Sequence, residues 1–79
     1  MGDEAIDTSG LNCPLPVLRA RKALQRLSDG ERLTVIATDP ASQNDFPAFC
    51  DAAGHRLEAC DAADGQYTFV IVKHAGGGK

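Results

Sequence analysis

The stretch Gly10-Leu11-Asn12-Cys13-Pro14-Leu15-Pro16 marks the point where a loop passes into a helix that has a thiol at its first turn. Two prolines two positions apart would disrupt a helix interior, because each lacks an N–H and fixes φ. They are tolerated in the first turn, where N–H groups have no intrahelical partner. The helix is therefore predicted to begin here, with Cys13 at the N-cap or just before it and Pro14 and Pro16 at positions N1 and N3.

The same stretch predicts a reactive cysteine. Proline at N3 removes one of the N–H groups that would bind a capping side chain, so the sulfur of Cys13 is expected to stay accessible. The first turn of a helix also has a partial positive charge, which favours the thiolate and predicts a lowered pKa for Cys13. The alternative for a free cysteine is a small buried hydrophobe, which the paired prolines disfavour.

Composition predicts one small soluble domain over residues 4–74, followed by a flexible tail at 75–79. The chain has 79 residues, of which 43% are apolar and 24% charged, and this leaves room for one core but for no enclosed substrate cavity. A net charge of −3 offers no general attraction to nucleic acid or to an anionic membrane. Three cysteines, no apolar leader and no membrane-spanning run favour the cytoplasm.

Hydrophobic periodicity predicts six elements in the order strand, helix, strand, helix, strand, strand, at residues 4–8, 14–27, 32–38, 42–53, 56–62 and 66–74. The start of the second helix stays open between Ser42 and Asp45, because Pro47 follows closely. Asp64-Gly65 accepts the positive φ values of a tight hairpin turn, so the last two strands are expected to pair antiparallel.

These elements predict an α+β fold, a two-layer α/β sandwich of βαβαββ order. Two helices and four strands are packed most economically as a mixed four-stranded sheet with both helices on one face. A right-handed crossover makes the first two strands parallel. Their following loops, residues 10–13 and 39–45, then lie at one edge of the sheet, which brings Cys13 close to Asp39 and Asp45.

The chain resembles the TusA/SirA-like family of small sulfur-carrier proteins. The residues responsible are Asp7, Gly10, Cys13-Pro14-Leu15-Pro16, Asp39-Pro40 and Asp45-Phe46-Pro47-Ala48-Phe49-Cys50. The resemblance implies a cysteine that accepts sulfur as a persulfide and passes it to a protein partner. Carried over to this sequence, the sulfur-bearing position is Cys13, and Gly10, Pro14 and Pro16 shape its turn.

The resemblance also implies a sulfurtransferase that acts only with protein partners. The donor would be a cysteine desulfurase or a rhodanese-type protein, and the acceptor would be a protein with a reactive cysteine. Family members serve tRNA thiolation, molybdenum-cofactor supply and oxidative sulfur metabolism, and the motif does not separate these routes. We expect a monomer without a cofactor, a membrane partner or direct contact with nucleic acid.

The other two cysteines are expected to be structural or incidental. Cys50 falls on the apolar stripe of the second helix, which favours a core thiol over a resolving cysteine. Strand alternation places Cys60 on the sheet face that the helices leave open. A zinc site from Cys50, His55, Cys60 and His74 is disfavoured, because no Cys-x-x-Cys or His-x-x-x-His unit is present, so no metal is expected.

The first helix is basic and contains no acidic residue; its cations are Arg19, Arg21, Lys22 and Arg26. Cations in the last turn complement the helix dipole, but this does not account for Arg19 or Arg21. Docking of an acidic partner surface and a merely solvated face both remain open for Arg19, Arg21 and Lys22. For Asp39 and Asp45, turn and cap roles are favoured, with partner contact as the second role.

Two other functions remain as alternatives. The protein would be a small regulatory or protein-interaction module if the edge near Cys13 binds a partner and the thiol is incidental or a redox sensor. It would be a thiol peroxidase or disulfide exchanger if Cys50 could act as a resolving cysteine.

Overall fold

The computed structural model describes residues 3–74. Its elements are β1 (Glu4–Thr8), α1 (Leu15–Leu24), β2 (Arg32–Ala37), α2 (Ser42–Ala53), β3 (Arg56–Ala63) and β4 (Gln66–Val72). The sheet has the order β1-β2-β4-β3, in which β1 and β2 are parallel and the other neighbours are antiparallel. The predicted βαβαββ fold is confirmed, and the predicted tail at 75–79 lies outside the described residues.

One face of the sheet forms the core, and both helices cover it. Leu33 and Val35 of β2 are fully buried, and Val35 is opposite the equally buried Phe69 of β4. Phe46 of α2 stacks on Phe69 with ring centroids 4.6 Å apart, while Leu24 of α1 belongs to the same cluster. Burying such side chains provides the main stabilisation, about 1.5–3 kcal/mol for each large one. Within residues 3–74, no helix is long and apolar enough to cross a membrane.

The hairpin between β3 and β4 has the turn that its sequence predicts. Ala63 pairs with Gln66, which leaves a two-residue turn between them. Asp64 and Gly65 have φ values of 54° and 74°. Positive φ at both central positions gives a twist that matches the paired strands, and aspartate and glycine tolerate it best.

The end of α1 differs from the prediction, and the open start of α2 is resolved. α1 ends at Leu24 instead of residue 27, because the N–H groups of Arg26 and Leu27 bond to the carbonyls three residues before them, as in turns. The Nζ of Lys73 also donates a hydrogen bond of 2.6 Å to the Leu24 carbonyl. α2 begins at Ser42, so the alternative start near Asp45 is wrong. Pro47 lies inside α2 on its exposed side, where the missing N–H removes one helical hydrogen bond without leaving a core group unpaired.

The predicted position of Cys60 on the open sheet face is wrong. Leu57 pairs with Ile71, but Ala59 pairs with Val70, so the register shifts by one residue within β3. Such a bulge reverses the alternation beyond it. Cys60 is therefore opposite Phe69, on the face that carries the helices, and it is exposed because β3 is an edge strand.

The buried thiol of Cys50 is expected to make the protein less stable as the pH becomes alkaline. Burial raises the pKa of its thiol from 9.0 to about 11. Between these values the unfolded chain loses the Cys50 proton and the folded protein keeps it, so stability is lost as pH rises. We expect the free energy of unfolding to fall by up to about 1.4 kcal/mol per pH unit more steeply than in Cys50→Ala.

Urea unfolding at a series of pH values from 8 to 11 measures this difference. Cys60→Ala is the matched control, because it removes an exposed thiol and should retain the steep fall. Equal slopes for the wild type and Cys50→Ala would contradict the core position of Cys50.

Candidate functional site

The loops after β1 and β2 meet at one edge of the sheet. We call this edge the Cys13 rim; it comprises residues 10–16, residues 38–41 and Asp45. The Cys13 N–H donates a hydrogen bond of 2.5 Å to Oδ2 of Asp39, and the Ala41 N–H donates one of 3.1 Å to Oδ1. One carboxylate thus joins the two loops, and the predicted closeness of Cys13 and Asp39 is confirmed.

Gly10 turns the chain toward this bridge. Its φ is +81°, a value that glycine adopts without steric cost, and its N–H donates a hydrogen bond of 2.9 Å to Oγ1 of Thr38. The Leu11 N–H also closes a turn onto the Thr8 carbonyl at 3.1 Å. Thr38 was not among the predicted site residues, since no local pattern pairs it with a glycine that lies 28 positions away.

Cys13 lies just before the helix cap, in accordance with one of the two predicted positions. Pro14 is the N-cap and Pro16 is N2, so each proline lies one position earlier in the helix than predicted. α1 has no side-chain cap hydrogen bond, and the Cys13–Pro14 peptide is cis. The thiol of Cys13 is free and exposed.

The expected lowering of the Cys13 pKa is wrong. The Asp45 carboxylate accepts a hydrogen bond from the Cys13 thiol, which raises the pKa of Cys13; partial desolvation and the charges of Asp45 and Asp39 raise it further. Two nearby carboxylates disfavour a third negative charge on the Cys13 sulfur, so its pKa rises although Cys13 lies before a helix. Asp45 therefore acts on the thiol directly and is more than a residue of the first turn of α2.

The start of α1, two residues after Cys13, has an exposed apolar surface. Leu15 and Leu18 are the large hydrophobic side chains that remain exposed in the described chain, at 44% and 47%. They lie three residues apart on α1, outside the buried stripe that contains Ala20 and Leu24. The prediction missed them, although their helical spacing off the apolar stripe was a signal for an exposed apolar pair.

The four cations that the sequence placed on the first helix form two separate surfaces, and Arg26 lies in the turn after α1. Arg21 lines a recess of about 300 Å³ between the two helices, next to Phe49. Arg19, Lys22 and Arg26 instead line a groove beside β1. These basic residues therefore do not form one patch. Arg21 faces α2, whereas the other three cations face β1.

The structure does not bring the other cysteines to the Cys13 rim. Cys50 is 2% exposed within the core, and Cys60 lies on the edge strand. Nδ1 of His55 accepts a hydrogen bond of 3.2 Å from the His74 N–H. Over residues 3–74, no three histidine, cysteine or acidic side chains form a group that could hold a metal ion.

Comparison with known proteins gives concordant matches. Residues 4–73 match the family model described as sulfurtransferase TusA. The chain is 49% identical over 71 residues to the sulfur carrier protein TusA of Allochromatium vinosum. This alignment covers 90% of this chain and 93% of that protein. It is 48% identical over 71 residues to a Neisseria meningitidis serogroup A protein described as a candidate sulfur carrier, with coverage of 90% and 96%.

A solved structure has the same fold. The crystal structure of the SirA-like protein from Desulfitobacterium hafniense superposes with a TM-score of 0.78 at 30% sequence identity. The match covers 90% of this chain and 97% of that one. Sequence and fold therefore point to the same family.

Replacement of Asp45 should activate the thiol. Asp45→Asn removes the carboxylate that raises the Cys13 pKa, so we expect a lower pKa and faster alkylation of Cys13 at neutral pH. The pH dependence of iodoacetamide labelling, followed at Cys13 by peptide mass spectrometry, measures both. Asp51→Asn is the matched control on the same helix and should leave the profile unchanged; an unchanged profile in Asp45→Asn would contradict the assigned hydrogen bond.

Proposed function

Because the chain belongs to the TusA family of sulfur carrier proteins, we propose that Cys13 accepts sulfur as a persulfide from one protein and relays it to another. The observation that supports this role best is the exposed Cys13 thiol, presented before the first turn of α1 by the Asp39 bridge. A carrier needs an accessible thiol that a partner can approach closely. The protein acts as a sulfurtransferase only together with its partners.

The proposed relay consists of two thiol exchange steps. The Cys13 thiolate attacks the terminal sulfur of the donor's persulfide; a new S–S bond forms, the donor's S–S bond breaks, and the donor leaves as a thiolate. An acceptor thiolate then attacks the outer sulfur of Cys13-S-SH and releases the Cys13 thiolate. Each step conserves atoms and electrons, so neither an oxidant nor a reductant is consumed.

Asp45 keeps the unloaded Cys13 thiol in a less reactive form. The raised pKa keeps the free Cys13 thiol largely protonated at neutral pH, which limits its reaction with small oxidants and electrophiles. A partner that places a cation against Asp45 would neutralise the carboxylate and favour the thiolate. We propose that reactivity is thereby directed to docked partners.

The proposed docking surface surrounds the thiol. Exposed Leu15 and Leu18 provide an apolar centre next to Cys13. The polar residues assigned to partner contact surround that centre; they are Arg19, Arg21, Lys22, Asp39 and Asp45. An apolar centre within a charged margin is the usual composition of a protein interface.

The donor in this proposal is a cysteine desulfurase or a rhodanese-type protein, and the acceptor is a protein with a reactive cysteine. tRNA thiolation, molybdenum-cofactor supply and oxidative sulfur metabolism all fit, because each needs only a persulfide delivered from protein to protein. We place the relay in the cytoplasm, where reducing conditions keep thiols free. Cys13, Cys50 and Cys60 are all free thiols.

The two alternatives fit the site less well. A peroxidase or redox sensor reacts with small oxidants without a docked partner, which the raised pKa of Cys13 disfavours. A disulfide exchanger needs a resolving cysteine within reach, and Cys50 is buried. A purely interacting module would keep its function in Cys13→Ser, which a transfer assay distinguishes from the relay.

Sulfur loading tests the function directly. We expect the reduced protein to gain one sulfur atom when treated with inorganic polysulfide, or with a cysteine desulfurase and cysteine, because Cys13 forms the persulfide. Intact-mass spectrometry measures the adduct. It should be absent in Cys13→Ser and retained in Cys50→Ser and Cys60→Ser; an adduct that persists in Cys13→Ser and disappears in Cys50→Ser would refute the assignment.

The apolar docking surface has its own test. Leu18→Glu should slow loading by the desulfurase about tenfold or more, the scale of a lost interface anchor, because it places a charge at the centre of the contact. Loading by polysulfide should not change, since that donor needs no docking. Gln25→Glu introduces the same charge at the far end of α1 and should load normally; equal rates for the two variants would show that Leu18 is not at the interface.

A further inference from the structure

A groove runs between β1 and α1 on the side of the protein away from α2. Its volume is about 420 Å³. Its apolar surface comes from Ala23, which is buried, and Ile6, which is half-buried. Three cations line it; Arg19 and Lys22 are on α1, and Arg26 lies in the turn that follows. The groove thus combines an apolar base with a basic wall, within the size range of ligand sites.

Two of the cations that line the groove, Arg19 and Lys22, are not in an ion pair within residues 3–74. Arg26 forms an ion pair with Glu4, which neutralises that end of the groove. Asp7 also lines the groove and stays ionised, because hydrogen bonds from the Ser9 side chain and from the Ser9 N–H, the latter of 2.9 Å to Oδ1, lower its pKa. The two remaining cations still exceed this one carboxylate in charge. The groove therefore favours a ligand with negative charge.

The other wall is a sheet edge. β1 pairs with β2 on one side only, because the strand order begins with β1. On the other side its backbone N–H and C=O groups face no strand of the described chain. An edge strand with free backbone groups accepts an extended peptide as an additional strand. The ligand that fits both walls is an extended chain with acidic side chains.

The groove is close to the reactive thiol. Arg19 lies four residues after Leu15, the first residue of α1, and is thus about 6 Å further along the helix axis. Leu18 and Lys22 are one turn apart on the exposed side of α1. A segment bound in the groove would continue directly onto the apolar surface beside Cys13.

We propose that the β1–α1 groove binds an extended acidic segment of a sulfur-exchanging partner, which pairs with β1 and directs carboxylates to Arg19 and Lys22. This inference rests on the proposed relay at Cys13. Alternate side chains of an added strand point to the same side. The bound segment therefore has acidic residues at every second position toward α1.

Nucleic acid fits the groove less well. A phosphodiester backbone cannot use the hydrogen-bonding edge of β1, and no aromatic side chain lines the groove for base stacking. Two unpaired cations beside one carboxylate also provide little of the charge that such binding needs.

A random-peptide display library, selected against the full chain, tests the proposal. The selected peptides should be enriched in aspartate and glutamate at alternate positions. Calorimetry should show that they bind the double variant Arg19→Glu/Lys22→Glu at least tenfold more weakly than the wild type. The matched control is Arg32→Glu/Arg56→Glu, which makes the same charge change on exposed residues of β2 and β3, outside the groove, and should bind like the wild type. Arg19→Gln/Lys22→Gln should give an intermediate loss, and circular dichroism verifies that each variant is folded.

Strand addition has a separate readout. The best selected peptide is made in two N-methylated forms, each blocked along one of its two edges. One form should lose binding and the other should retain it, and only the active form should shift the amide resonances of Ile6 and Asp7. Equal binding of both forms would overturn the proposed pairing with β1.

Three other results would bear on the binding of an acidic segment in the β1–α1 groove. The proposal is refuted if selection yields no peptide with acidic enrichment, or if Arg19→Glu/Lys22→Glu binds the selected peptides as the wild type does. Tighter binding of an oligothymidylate in the groove would assign the surface to nucleic acid instead. Polysulfide loading of Cys13 should stay normal in Arg19→Glu/Lys22→Glu, so loss of the groove and loss of the relay are distinguishable.

Discussion

The carboxylate of Asp39 is the contact on which the site depends. Its two oxygens accept N–H groups from Cys13 and Ala41, and so join the loop before α1 to the loop before α2. This bridge is possible because β1 and β2 run parallel and both loops leave the same edge of the sheet. The position of the thiol is therefore set by β2 and α2 as much as by its own helix.

The bridge has an electrostatic consequence. Holding Cys13 beside the start of α2 also brings its thiol to Asp45, whose carboxylate raises the pKa of Cys13. A helix N-terminus alone would have favoured the thiolate. A domain of this size has no room to enclose a reaction, so control of the thiol comes from neighbouring charges and from the surface that a partner covers. The proposed docking surface has cations on two sides. Arg21 lies toward α2, and Arg19 and Lys22 lie toward β1.

Much of the fold and the location of the thiol could be predicted from the sequence, because they depend on local constraints. Pro14 and Pro16 are compatible only with a helix start, and Asp64-Gly65 suits a two-residue turn with positive φ at both positions. Alternation and helical spacing identified the elements that share the core. The closeness of Cys13 to Asp39 followed from strand order, since parallel strands joined by a helix end at one edge.

The sequence by itself thus determined the elements, their order and the thiol at a helix start, since each depends on the conformational preferences of neighbouring residues. The tertiary structure alone decided the protonation of Cys13, because the Asp45 hydrogen bond joins residues that only folding brings together. It also decided the end of α1, where Lys73 contacts the Leu24 carbonyl across 49 positions. The face of Cys60 depends on a bulge set by pairing with β4. Long-range contacts add energies that no local pattern contains, and at Cys13 they raise the pKa that the local pattern was expected to lower.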